Sequence, residues 1–527
     1  MYYTRQILGG LLLLFSAVLV SCDQNIDPID PMPMPTGQTA TFQLSSVSDP
    51  SISGTAEFVE NDDNTTTINL RMSSTPSGGM HPAHIHFNTA AEGGDIALTL
   101  GTVDGTTGMS SVTVNSLDDG SAISYEQLIN FDGYINVHLS SSDLATLIAQ
   151  GDIGENALTG ESKTYALGSV DVDGISGTAT FSQRVNGETL AEIMLMGTPE
   201  DGMHPGHIHF NTAAEGGAIA VSFNPVVGAS GMSATNISTL DDGTPITYTQ
   251  LLDFDGYVNI HLSAEDLGTL VAQGDIGQNE LTGEEKVYEL GEKDVDGISG
   301  TATFKKRVNG EALAMIELMN TPEDGMHPAH IHFNTALEGG GIAFTFTPVN
   351  GATGVSVTNV AMLDDDSMIG YDDILEFNGY INVHLSASEL GTIVAQGDIG
   401  SNELTGESTT YVLGEKDVVG INGTATFRKR ANGTTLAILD VENTIAGSSH
   451  PAHIHNNSAE MGGSIAFTFT PVDGTTGMSM TNIVALDDET AITYEQLLEF
   501  NGYINVHLSM AELATVVAQG NIGVNVN

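Results

Sequence analysis

The chain repeats itself with a period that never slips. The hexapeptide His81-Pro82-Ala83-His84-Ile85-His86 returns as His204 to His209, His327 to His332 and His450 to His455, each 123 residues after the last. A second motif, G-Y-[IV]-N-[VI]-H, ends at His138, His261, His384 and His507 with the same 123-residue interval. Solenoid units usually run about 20–50 residues, so this period suits one small domain instead. Four copies without insertion or deletion predict four tandem domains, at 38–160, 161–283, 284–406 and 407–527.

Inside a copy the elements are short and β-like. In the second, residues 163–170, 177–185, 189–196, 207–211, 219–224 and 256–262 read as strands, with Val185-Asn186-Gly187 as a hairpin turn. Many short strands punctuated by Gly, Asp and Asn predict an all-β chain of four tandem antiparallel, Greek-key-like β-sandwich domains, with short helices in the connections. One helix is expected at 248–254. A second is expected after the capping pattern S-x-x-[DE], which recurs as Ser140/Asp143, Ser263/Asp266, Ser386/Glu389 and Ser509/Glu512. It would carry Leu144, Leu147 and Ile148 and stop at Gly151.

All 16 histidines of the chain belong to the two motifs. Side chains alternate along a strand, so His84 and His86 share one face and Ile85 takes the other. In Tyr134 to His138, Asn136 and His138 likewise oppose Ile135 and Val137. If the two strands are neighbours, three imidazoles converge on the face away from the core, a donor set that suits copper or zinc. The expected ligands are His84, His86 and His138; His207, His209 and His261; His330, His332 and His384; and His453, His455 and His507. The alternative is a metal-free cluster hydrogen-bonded to the backbone and to itself.

The amino terminus reads as a processing segment. Residues 1–22 combine Arg5, an apolar run from Ile7 to Val20 and the ending Leu19-Val20-Ser21-Cys22, which fits a bacterial lipobox with Cys22 as the lipidated residue. Cys22 is the only cysteine, which excludes intrachain disulfides and thiolate ligands. Residues 23–37, with Pro28, Pro31, Pro33 and Pro35, read as an extended linker. The expected location is therefore a bacterial cell envelope, outside the cytoplasm, at the outer membrane or cell surface, with the lipid as the membrane contact.

The formal net charge of −54 excludes nucleic acid as a partner, because that binding depends on Lys and Arg neutralising phosphates. The partner expected is an extracellular ligand or protein. Paired acids such as Asp118-Asp119, recurring at Asp241-Asp242, Asp364-Asp365 and Asp487-Asp488, lack the ligand count that calcium needs.

These motifs resemble the chordin-type CHRD domain, through Ala83-His84-Ile85-His86, the following Glu92-Gly93-Gly94, the late G-Y-x-N-V-H, and Gly151-Asp152-Ile153-Gly154 with Leu158-Thr159-Gly160. The resemblance covers all four copies and implies an extracellular β-sandwich without a settled biochemical activity. The S-x-x-[DE] segment departs from the family's shorter turn. A weaker resemblance is to the copper site of copper-zinc superoxide dismutase. It implies copper ligation by His84, His86 and His138, with His81, and likewise His204, His327 and His450, in support behind the ligands. No histidine falls between His86 and His138 to build a zinc site, and no Lys or Arg lies between the motifs of any copy. An anionic substrate would be repelled rather than focused. The reading is non-enzymatic metal binding or surface interaction, with a dismutase-like copper enzyme and a purely structural or adhesive array as the alternatives.

Met80, Met203 and Met326 precede the first histidine and Met109, Met232 and Met478 recur downstream, but Ser449 and Val355 break the two series, so these read as packing or turn-filling residues and not ligands. The fourth copy is the most altered: Asn456 replaces Phe87, Phe210 and Phe333, and Asn521 replaces Asp152, Asp275 and Asp398. Beside Ile454, Asn456 would face the core unless it stands at the rim. This copy is expected to bind metal more weakly than the others and to unfold first on heating. Titration and thermal unfolding of the isolated fourth domain beside the isolated second check this.

Overall fold

A computed structural model describes residues 32–526. Cys22, the signal segment and most of the linker lie outside the described residues. The chain divides into two compact units, one ending at Ala157 and one running from Leu158. The first holds repeat 1, and the second holds repeats 2, 3 and 4, each with its own buried core.

Repeat 1 consists of β1 (Pro35–Ser46), β2 (Ser53–Asn61), β3 (Thr66–Ser73), β4 (Met80–Phe87), β5 (Ile96–Asp104), β6 (Met109–Val114), α1 (Tyr125–Ile129), β7 (Asp132–Ser140) and β8 (Asp143–Gly154). The strands form a closed barrel in the order β1-β2-β3-β6-β5-β4-β7-β8. Hairpin-connected β4, β5 and β6 lie between β3 and β7, which is Greek-key connectivity. The all-β tandem reading holds, and in repeat 1 the faces close into one barrel. β1 takes in Pro35 to Gly37, which the sequence reading gave to the linker; Pro35 pairs with Asn61 past a bulge. In repeat 2 the opening strand, Leu158–Ser169, spans the expected 160/161 boundary.

The later repeats keep this order but break it at one seam. In repeat 2, Met203–His204 pairs with Val226–Val227, and Gly206–Phe210 pairs separately with Ile219–Ser222. Proline explains the break. Pro82 faces Thr102 across the β4–β5 ladder of repeat 1, whereas the later repeats have Pro225, Pro348 and Pro471 at the threonine's position. Two facing prolines leave that point of the ladder with no N–H to donate.

Of the two helices expected per repeat, one forms. In α1, Ser124 accepts from Gln127 N at 3.3 Å while Gln127 accepts from Ser124 N at 2.9 Å, a complete capping box. The equivalent in repeat 2 is Tyr248–Leu252. The other expected helix is a β-hairpin. Ser140 Oγ does accept from Asp143 N, at 3.1 Å, but it shapes the turn between β7 and β8. The residues that follow pair back across the sheet, as Ile260 with Ala272 and His261 with Leu270 in repeat 2. An N-cap and a tight turn use the same local bond, and pairing with the neighbouring strand decides between them. Strands Met232–Ile237 and Asp266–Gly277 of repeat 2 went unread for that reason or for lack of a distinct pattern.

Gly151 therefore ends no helix. It lies within β8, where an added Cβ would come 2.1 Å from the Gln43 carbonyl oxygen; at Gly274 the same atom would come 2.2 Å from that of Ala166. Gly274→Ala is expected to destabilise repeat 2 by about 1–3 kcal/mol, the usual cost of overpacking, read as a lowered urea midpoint at unchanged m-value.

Candidate metal centre

β4 and β7 are antiparallel neighbours, with His84 opposite Asn136, Ile85 opposite Ile135 and His86 opposite Tyr134. Ile85, Ile135 and Val137 are fully buried in the barrel core, so the three imidazoles stand together on its outer face. In every repeat the three expected histidines each offer one ring nitrogen, all within 4.8 Å of one another. These are His84, His86 and His138; His207, His209 and His261; His330, His332 and His384; and His453, His455 and His507. Register shifts fall between Ile85 and His86 and between Val137 and His138. Bulges of this kind turn side chains out of simple alternation, and they sit beside two of the three ligand candidates.

Backbone carbonyls set the tautomers. His86 Nδ1 lies 2.9 Å from Gly94 O, and the corresponding bonds to Gly217, Gly340 and Gly463 are 3.0 Å. A carbonyl only accepts, so Nδ1 carries the proton and Nε2 presents a lone pair. His138 Nδ1 donates to Leu144 O at 2.7 Å, with His261 and His384 donating to Leu267 and Leu390 at 2.8 and 2.6 Å. Nε2 of His138 is thereby also left as an acceptor, 3.1 Å from His84 Nδ1.

Hydrogen bonds among the protein groups leave ring nitrogens of the cluster over. His84 can donate to His138, but Nε2 of His86, His209, His332 and His455 is buried without a hydrogen-bond partner. Nδ1 of His330 and His453 is unpartnered too. Buried polar atoms are normally paired, and lone pairs left facing one another fit a cation. The cluster could hold a metal ion.

Burial, reinforced by the neighbouring His138 and His86, lowers the pKa of His84, with Asp118 opposing; His207, His330 and His453 follow the same pattern. Burial also lowers His138, His261, His384 and His507, against the carbonyl bonds that favour their protonated forms. The first and third imidazoles of each cluster are therefore biased towards the neutral, ligating form.

His81, His204, His327 and His450 are at most 1% exposed and stand behind the cluster. Nδ1 of His81 donates to Leu139 O at 2.8 Å, and Nδ1 of His204, His327 and His450 lies 3.1–3.2 Å from the carbonyl of its repeat's last histidine. They brace the strand that carries the third imidazole. Their rings press on a glycine: a Cβ at Gly79 would come 2.5 Å from His81 Nε2. Repeat 4 has Ser448 at that position, with Oγ 2.7 Å from His450 Nε2.

The sequence reading did not single out Tyr134. Its ring stacks on His86 at 5.0 Å and 18°, and the pairs Tyr257–His209, Tyr380–His332 and Tyr503–His455 repeat the geometry. The signal was present, since alternation puts Tyr134 on the same face as Asn136 and His138. The tyrosine hydroxyl accepts from Gly94 N at 3.2 Å, so it also steadies the glycine whose carbonyl orients His86. Asp118 caps a strand instead of joining a second cation site, accepting from Thr99 N and Oγ1 at 3.1 and 2.7 Å. The recurring methionines are not core residues: Met80 is 57% exposed and Met109 55%, each at the start of a strand beside a turn. Asn456 stands at the rim, bonded to Ser464 Oγ at 3.1 Å.

Comparison of the chain with protein-family models, with curated proteins and with solved structures returned no match.

Tyr257→Phe keeps the stack on His209 but leaves Gly217 N without its acceptor, 3.2 Å away in the native protein. Losing one such bond costs about 1 kcal/mol, so exchange of the Gly217 amide is expected to quicken about fivefold in hydrogen-exchange mass spectrometry. Tyr257→Leu, which also removes the stack, should quicken it further.

Proposed function

We propose that the protein is an envelope-anchored metal-binding lipoprotein that carries one copper or zinc ion per repeat, displayed outside the cytoplasm from a lipid on Cys22. One observation carries this reading. In each repeat three imidazoles gather on the sheet face away from the core, and the Nε2 of the second is buried without a partner while its Nδ1 is tied to a glycine carbonyl. Three imidazoles suit zinc or copper, and orientation of ligating histidines by backbone carbonyls is common in such sites. His84, His86 and His138 and their counterparts would hold the ion, with His81 and its counterparts bracing them. Three protein ligands leave room for a further ligand, which a surface-interaction role would use.

The role proposed is non-enzymatic. The net charge of −54 and the lack of Lys or Arg between the motifs disfavour an anionic substrate such as superoxide. The resemblance to the CHRD domain, like that to the dismutase copper site, rests on the motifs alone.

Residues 32–526 are expected to retain about four zinc or copper ions per chain by elemental analysis after loading and desalting. Changing His138, His261, His384 and His507 together to Ala should abolish retention while circular dichroism keeps its β signature. Retention that survives the quadruple change would place the metal on carboxylates, and a wild-type chain that never holds stoichiometric metal would favour the structural array.

A further inference from the structure

The loop that orients the second histidine is held from two directions, and one of them is the next repeat. In repeat 2, Gly217 O accepts from His209 Nδ1 at 3.0 Å. The same loop is fastened at Ala213, whose N–H donates to Asp275 Oδ1 at 2.8 Å. Asp275 pairs across the sheet with Tyr257, the residue stacked on His209. Its other oxygen, Oδ2, lies 2.7 Å from Nη1 of Arg307, which belongs to repeat 3. Arg307 is fully buried, and it also donates through Nε to Asn359 Oδ1 at 2.8 Å and through Nη1 to the Asn279 carbonyl.

The junction between repeats 3 and 4 is built the same way. Arg430 Nη1 lies 2.7 Å from Asp398 Oδ2, and Asp398 Oδ1 accepts from Ala336 N at 2.8 Å. That loop presents Gly340 O to His332 Nδ1 at 3.0 Å. Repeat 4 adds a second hold there, from Asn482 Nδ2 to Thr335 Oγ1 at 2.6 Å.

We infer that Arg307 and Arg430 are positioning residues for the histidine cluster of the preceding repeat, acting through Asp275 and Asp398 on the loop that orients its second histidine. A buried guanidinium keeps its charge and its fork geometry, so the carboxylate it bonds is held in one place, and the loop amide is held with it. The sequence carries the same logic. At the aspartate position the series is Asp152, Asp275, Asp398 and Asn521, and at the arginine position it is Asn61, Arg184, Arg307 and Arg430. Asn521 keeps the loop bond, accepting from Ala459 N at 2.8 Å, without a charge that calls for a guanidinium. Asn61 donates to the hydroxyls of Thr65 and Thr67 at 2.9 Å.

This inference rests on reading the cluster as a metal site, and its test separates the two. In the full chain bearing His138→Ala, His384→Ala and His507→Ala, only the second site is intact, and its affinity for zinc can be measured against a chromophoric chelator. Arg307→Met is expected to weaken that site about tenfold, the lower end of what outer-sphere changes do. Asp275→Asn combined with Arg307→Met, which removes both charges but keeps the Ala213 acceptor, is expected to return affinity to within about threefold of the parent. Amide exchange from Ala213 to Gly217, measured without metal, should quicken in the single variant and recover in the double. If Arg307→Met does not fold, Arg307→Lys, which keeps the charge but loses the fork, takes its place. Unchanged affinity and exchange in a folded single variant, or an equal loss in the double, would overturn the inference. A parent chain that binds no zinc or copper would overturn the metal reading, leaving the exchange measurement to decide the coupling.

Discussion

The ladder between β4 and β7 is the interaction on which the rest depends. It places Ile85, Ile135 and Val137 inside the barrel and His84, His86 and His138 outside, so the same pairing that builds the core assembles the site. Slipping the register by one residue would bury imidazoles and expose the branched aliphatics together. Core formation therefore selects the register that gathers the histidines. No separate folding event is needed to make the cluster.

Around that ladder, the backbone does most of the chemical tuning. Carbonyls of Gly94 and Leu144 accept hydrogen bonds from Nδ1 of His86 and His138 and turn their Nε2 lone pairs together. Burial holds His84 and His138 towards neutrality, while the acidity of the chain stays largely outside in turns, as with Asp119 and Ser121 at 2.5 Å. The site thus combines uncharged donors with strongly negative surroundings. That combination favours a cation without requiring a carboxylate ligand.

Much of this could be read from residues alone because alternation is a local rule. The ligand candidates, the apolar partners and the short helix expected at 248–254 all follow from patterns a few residues long. What escaped depends on partners distant in sequence. Ser140 and Asp143 make the bond of a helix cap, and only the strand alongside shows it to be a turn. The bulges at His86 and His138, the carbonyl of Leu144 and the packing of Gly151 against Gln43 leave no local trace. Tyr134 was within reach of the alternation argument, yet its role shows only once His86 lies opposite. The exchange of aspartate for Asn521 was visible, but its meaning depends on an arginine 32 residues downstream in the interior repeats, as from Asp275 to Arg307.

The arginine–aspartate junction also acts as a grammar for copy number. Repeat 3 presents Arg307 towards the repeat before it and Asp398 towards the repeat after it. Unequal recombination that duplicated this unit would set the new arginine against an aspartate, so the added seam would be electrically matched. Duplicating repeat 4 would set a second copy of Arg430 against Asn521 and bury a cation opposite a neutral amide. The third unit thus carries both halves of a seam, whereas the fourth carries the arginine alone.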